Sequence, residues 1–376
     1  MKRYLKGVGM TSFGEAHKTS EEMCIEAVQH AFIDSELTPR EIDAVVVSNV
    51  SSKMNSEKQR LYPPIIASIL QRKIPMIRVP AVCGGGGAAL WTALRLHFNN
   101  VLVVAVDRVL DSPTPLITHE IMTAGENKWE QEEGLIFPAQ NALVAQAHMA
   151  AYGTTAEDLH AVSFKNHHFG SLNPKARFYG KKITMEQIRN APVVATPFNL
   201  FDCSISVNGA AAAIVSSDKT DIEIIGSALA SDYLPPFERD DMTRWEGTVK
   251  AGKEAFAEAG ITPEDVDVAE LHDAFTIVEL IAYEDLGFCK KGYSKEMIRN
   301  HETDIDGRIP VNTSGGLKAR GHPISPTGVA QVVEIADQLR GRSGQRQVSN
   351  PHIGLSHNIG GAGGTTTVHL FRKVAG

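Results

Sequence analysis

The sequence predicts an α/β protein built from two copies of one unit, and three observations carry that prediction. The segments AFIDSELTPREIDAVVV (31–47) and AFAEAGITPEDVDVAEL (255–271) match without a gap at an offset of 224, with Ala, Phe, Thr, Pro and Asp recurring at the same places. In each copy a helical pattern precedes a Thr-Pro turn, and the turn precedes an apolar strand. More loosely, CGGGGAALWTALRL followed by VLVVAV parallels GHPISPTGVAQVVEIADQL followed by HIGLSHNIGGAGGTTTVHLF. Each is a glycine-rich turn, an apolar helix and a strand. Helices that alternate with apolar strands cover the faces of a sheet.

The elements follow in order. Thr19 and Glu22 fit a capping box at a helix start. Cys24, Ala27, Val28, Ala31 and Phe32 then recur at helical spacing, which predicts one apolar face with Cys24 buried on it. Pro39 stops the pattern, and IDAVVVSNV reads as a buried strand. The N-terminal half spans 1–220 and the C-terminal half 221–376. Within the first half, 111–200 has irregular patterns and reads as an inserted loop domain with its own helix, PAQNALVAQAHMAAYG.

Composition narrows the function. The 376 residues are 43% hydrophobic and 22% charged, enough for a large core, and the length favours more than one domain. A net charge of −7 with no basic cluster argues against nucleic acid, which needs concentrated Lys and Arg. The longest apolar run, VLVVAV, is too short to span a bilayer, and the N-terminus lacks the apolar stretch of a signal peptide. Cys24, Cys83, Cys203 and Cys289 lie far apart, with no CxxC or CxxH pairing. That spacing builds neither a disulfide framework nor a zinc site and points to a reducing cytoplasm.

Four segments could carry chemistry. Cys83 follows a strand-like stretch and precedes a helix, so its thiol would sit near a helix N-terminus that favours thiolate. Glycines 84–87 would let a substrate approach the backbone; a structural cysteine in a tight turn explains the stretch equally well. His322, between Gly321 and Pro323, is a positioned loop histidine that needs a partner to be a base. ELHDAF (270–275) ends the strand of the second copy, where α/β proteins place ligands. His357 and Asn358 precede a glycine turn and a β-branched strand, which also reads as a plain hairpin. The adjacent His167 and His168 diverge on either a helix or a strand and make no metal site. No GxGxxG after an initial strand, GxxxxGK[ST] or HExxH occurs.

In chain order these segments resemble the thiolase family: a cysteine before a Gly-rich helix start, then His272-Asp273-Ala274-Phe275, Gly321-His322-Pro323 and Asn358-Ile359-Gly360-Gly361. KNHHFGSLNPKARF, FDCSISVNGAAAAIV and GLIFPAQNALVAQAHMAAYGTTAEDL extend the likeness over nearly the whole chain. The His-Asp form with His357-Asn358 is similar to the sterol-carrier-type and archaeal members. The resemblance implies a duplicated five-layered αβαβα fold with a CoA-binding loop domain, and a homodimer or homotetramer. It implies CoA thioesters as substrates and no metal or redox cofactor. It also implies the mevalonate route, with a hydroxymethylglutaryl-CoA synthase and a small zinc-ribbon/OB-fold protein as partners.

On that resemblance Cys83 takes an acyl group, His322 generates its thiolate, and an acetyl-CoA carbanion attacks in a Claisen condensation. The N–H groups of Cys83 and Gly360 hold one oxyanion, and His322 with a water or side chain at His272 holds the other. The family's second cysteine is missing both at Ala274 and at Asn358, so proton transfer falls to His272, His357 or a bound water. Gly85 stands where Ser is usual, and Asn208 where Asp is usual. The expected activity is acetyl-CoA C-acetyl transfer. The alternatives are acyl transfer to another acceptor and a non-catalytic CoA-binding subunit of a condensing-enzyme complex.

Overall fold

The computed structural model describes residues 2–14, 17–50, 57 and 59–374. The first half begins with β1 (Arg3–Met10), α1 (Ser20–Ser35), β2 (Ala44–Ser48), α2 (Tyr62–Leu70), β3 (Met76–Arg78), α3 (Gly85–Arg95) and β4 (Asn100–Asp107). An excursion follows with α4 (Thr114–Met122), α5 (Phe137–Tyr152), α6 (Ala156–Leu172), α7 (Met185–Arg189) and a hairpin of β5 (Val193–Ala195) with β6 (Phe198–Asn199). The chain then returns to the sheet as β7 (Gly209–Ser216). The second half is β8 (Ile222–Ser231), α8 (Glu246–Ala259), β9 (Val268–Glu270), α9 (Thr276–Asp285), α10 (Ser294–Arg299), α11 (Gly316–Ala319), α12 (Pro326–Leu339), β10 (Ile353–Gly360) and β11 (Thr365–Lys373).

The strand order, β3-β2-β4-β7-β1-β8-β11-β10-β9, shows the duplication. From the centre outward β1, β7, β4, β2 mirrors β8, β11, β10, β9. β1 and β8 join the halves by antiparallel pairing of Arg3 with Ile224 and Tyr4 with Glu223. The place of β3 is taken in the second half by a parallel bridge from Ala269 to Val311, matching Val45 to Met76. Even the repeated Thr-Pro turns agree in detail. Glu41 accepts the N–H and O–H of Thr38, and Asp265 accepts those of Thr262.

Five layers result. α1 packs outside β1 and β7, α8 outside β8 and β11, and α3 with α12 lie between the two half-sheets. β2 shows why its sequence reads as one apolar run. Val45 and Val47 face α1 and α2 while Ala44 and Val46 face the central helices, so both faces are buried. The capping box at Thr19 and the burial of Cys24 are as the sequence predicts. Among the described residues no helix is long and apolar enough to cross a membrane.

The segment 111–200 holds four helices where the sequence pattern showed one. α6 escaped notice because its buried face carries Ser163, Lys165, Asn166 and His167, which leave no apolar stripe to read.

The four glycines after Cys83 also have a different reason from the expected one. They are buried, and protein rather than open space lies where each side chain would start. A Cβ on Gly84 would sit 2.9 Å from the nitrogen of Gly360, and one on Gly85 2.3 Å from Ser48 Oγ. On Gly86 it would sit 2.6 Å from the carbonyl oxygen of Ser325, and on Gly87 2.0 Å from Thr367 Oγ1. The bare backbone lets α3 lie against α12 and the C-terminal hairpin. Gly86→Ala therefore destabilises the fold by about 1–3 kcal/mol through overpacking, although alanine is the better helix former. Urea denaturation of the two proteins measures the loss.

Candidate active site

Cys83 lies in a 3₁₀ turn, Val82–Gly84, that leads directly into α3. Val82 sits at φ +48°, where a β-branched residue is strained by about 1–3 kcal/mol, so packing around the turn holds it there. The turn walls a cavity of ≈ 370 Å³ that also reaches Cys203, His272, His322 and Gly361. Much of the remaining wall is apolar, with Ile121 and Phe137 from the excursion and Phe275, Val278 and Ile324 from the second half.

His322 follows Gly321, whose φ of +116° a side chain would oppose. Its N–H donates to the carbonyl of Ile205 at 2.8 Å, and its Nδ1 lies 2.7 Å from Thr327 Oγ1 in the first turn of α12. That leaves Nε2 for the cavity. His272, just past β9, stands edge-on to His322 with ring centroids 5.5 Å apart. Its Nδ1 is 3.2 Å from Asn358 Nδ2. Asp273 turns away and accepts the N–H of Leu317 at 2.7 Å and the amide of Asn166 at 2.8 Å. It anchors α11 and so the loop that carries His322.

The structure separates the neighbours His357 and Asn358, because successive strand residues face opposite sides. The His357 ring reaches Thr248 Oγ1 of α8, 3.1 Å from Nε2, and is not among the residues lining the cavity. Gly360 packs its α-carbon against the Cys83 turn, where a Cβ would come 2.4 Å from the carbonyl oxygen of Ala81. Of the two expected N–H donors, that of Cys83 acts on its own sulfur, whereas the second N–H there is that of Gly361, one residue past the expected Gly360. Asn208 accepts the N–H groups of Val109 (2.7 Å) and Leu110 (3.0 Å), fixing the chain where it leaves β4.

Cys203 belongs to none of the four segments singled out in the sequence. Its backbone bridges Phe275, and the N–H of Ser204 donates to the carbonyl of Ala274 at 2.8 Å. Cys203 thus lines the cavity together with Ala274, one of the two family positions without the second cysteine, and its thiol lies 3.8 Å from the carbonyl oxygen of Asn199. Only that cross-chain pairing reveals it; no local spacing does.

A model of the family described as thiolase C-terminal domain-like matches residues 228–373. The acetyl-CoA acetyltransferase of Methanothermobacter thermautotrophicus is 41% identical over 381 residues, covering 98% of each chain. The chain belongs to the thiolase family. Sterol carrier protein 2 of Gallus gallus is 32% identical over 98% of this chain and 71% of its own length. Among solved structures, the Ltp2-ChsH2(DUF35) aldolase has a TM-score of 0.83 at 24% identity, over 99% of this chain and 98% of that one, which shows the shared fold. The family places the chain among thiolase-type acyltransferases.

In this thiolase burial favours the neutral forms of the four side chains Cys83, Cys203, His272 and His322. Burial pushes the Cys83 thiol up to about 12, reinforced by Asp107, and the two N–H groups only partly offset this. The helix start therefore does not deliver a ready thiolate. Burial holds His322 down at about 3, with Arg320 adding to it, and His272 well below its ordinary value. Cys203 rises to about 11 through burial, with Lys318 pulling the other way.

Two measurements check this balance. Iodoacetamide labels Cys83 at pH 8 at least about tenfold more slowly than it labels free cysteine, because the thiolate is the reactive form. For stability, burial lowers His357 from 6.5 to about 3, so as pH falls the unfolded chain binds the proton first. The contribution is complete above pH 6.5 and is lost as pH falls toward 3. In His357→Phe the slope of unfolding free energy between pH 6 and 4 falls by up to about 1.4 kcal/mol per pH unit.

Proposed function

We propose that the cavity transfers acyl groups between CoA thioesters, forming or cleaving acetoacetyl-CoA by Claisen condensation through an acyl-cysteine at Cys83. The observation that supports this most is convergence: Cys83, Cys203, His272 and His322 come from four separated segments and share one cavity. The 41% identity to an acetyl-CoA acetyltransferase supports the acetyl group as substrate.

The steps balance with these four side chains. The Cys83 thiol gives its proton to His322 Nε2 while sulfur attacks the thioester carbonyl. The oxyanion is met by the N–H groups of Cys83 and Gly361. The intermediate collapses, and the departing CoA thiolate takes a proton from Cys203. Cys203 thiolate then removes an α-proton from the second acetyl-CoA. The resulting enolate oxygen is held by protonated His322 and by His272, and the carbanion attacks the acyl-cysteine. Cys83 leaves as thiolate and recovers its proton from His322. His357 has no part in this scheme because it faces α8.

Intact mass after mixing with acetyl-CoA tests the first half. An acetyl adduct forms on the wild type and is lost in Cys83→Ser. Cys203→Ala keeps the adduct but lowers acetoacetyl-CoA cleavage by about 100-fold or more, the usual size of a general acid–base contribution. An adduct with no acetoacetyl-CoA chemistry in the wild type points to a different acceptor. No adduct at all overturns the enzymatic reading in favour of a CoA-binding subunit.

A further inference from the structure

Asn358 stands where thiolases commonly carry a second cysteine, and its side chain is almost completely buried, 1% exposed. Three groups surround its amide. Oδ1 lies 3.1 Å from the N–H nitrogen of Gly87. Nδ2 lies 3.0 Å from the carbonyl oxygen of Cys83 and 3.2 Å from His272 Nδ1. Two of these partners have fixed character, since a backbone N–H only donates and a backbone carbonyl only accepts. Together they determine which end of the amide is oxygen and which is nitrogen. The second N–H of Asn358 is then directed at His272 Nδ1, which has to accept it. A neutral imidazole carries one proton, so that proton is on Nε2.

We infer that Asn358 is a positioning residue that locks His272 in its Nε2–H tautomer, so that the ring offers a donor to the reacting oxygen. The inference rests on the acyl-transfer reading above. It removes His272 from the candidates for base, because Nδ1 is occupied by the amide and Nε2 holds the proton. It also gives the Asn at this position a task of its own. The same amide grips the carbonyl of Cys83, so the nucleophile's turn and the donor ring are held in register by one side chain.

The surrounding glycines are shaped for it. A Cβ on Gly328 would stand 2.4 Å from Asn358 Oδ1, and one on Gly87 3.1 Å from the same atom. An amide is the group that satisfies all three partners. A carboxylate would oppose the Cys83 carbonyl and would demand a proton on His272 Nδ1. A thiol cannot bond all three at once.

The test is nitrogen NMR of histidine-¹⁵N-labelled protein without substrate, with His272 identified by its loss in His272→Ala. The expected signature is Nε2–H in the wild type, Nδ1–H in Asn358→Asp and a mixture in Asn358→Ala, which serves if the aspartate variant does not fold. Acetoacetyl-CoA cleavage falls by about 100-fold in Asn358→Asp, the size of losing one oxyanion donor. In a His272→Ala background the same change costs at least about tenfold less, because only the hold on the Cys83 carbonyl is then left to lose. A wild-type Nδ1–H tautomer, an unchanged tautomer in both variants, or equal losses with and without His272 overturns the proposal. Failure of the acyl-transfer reading shows separately, as absence of the Cys83 adduct, and leaves the NMR result readable.

Discussion

Backbone contact between the two central helices is the constraint on which the site depends. α3 begins at the turn of Cys83, and α12 begins just after the loop of His322. Gly86 lies against Ser325 and Val329, and Gly328 against Gly87, so no side chain separates the helix starts. Asp107, at the end of β4, accepts the N–H and hydroxyl of Ser325 and the N–H of Val50, which ties the start of α12 to the first half-sheet. A wider spacing would move the thiol and the imidazole apart by the same amount. Cys83 and His322 therefore share one cavity because two helices touch, and the helices touch because their first turns carry glycine.

The second governing feature is the burial of the ionisable groups. With the thiol raised to about 12 and the imidazole lowered to about 3, a thiolate–imidazolium pair is strongly disfavoured in the resting cavity. In the proposed reaction, charge separation becomes favourable once a thioester carbonyl accepts negative charge next to oriented N–H donors. Such a site keeps its thiol unreactive toward small electrophiles and couples deprotonation to substrate binding. Asn358, buried beside the thiol, has both ends of its amide hydrogen-bonded.

What could be read from the sequence depended on whether a feature was local. The duplication was readable because both copies repeat a whole helix–turn–strand unit, including the threonine that caps each turn. Cys83 and His322 stood out because short-range context, a helix start and a Gly-Pro frame, constrains them. The glycines were noticed but misassigned: a sequence shows that a backbone is bare, not what lies against it. His357 and Asn358 looked like one motif, yet strand alternation turns one toward α8 and the other toward Cys83. Cys203 was passed over because its proximity to Ala274 exists only through a pairing between distant segments. α6 was hidden by a polar interior that sequence periodicity cannot distinguish from a solvent face.

The duplication has a consequence for how such chemistry could arise. The strained turn at Val82 precedes α3, and its counterpart at Ile324, also at positive φ (+64°), precedes α12. These are corresponding places in the two halves. One directly precedes Cys83, and the other follows His322 by two residues. The duplication thus brings two equivalent corners, one from each half, to the wall of the same cavity. A single repeat holds one such corner, so this cavity wall exists only where two copies of the unit meet.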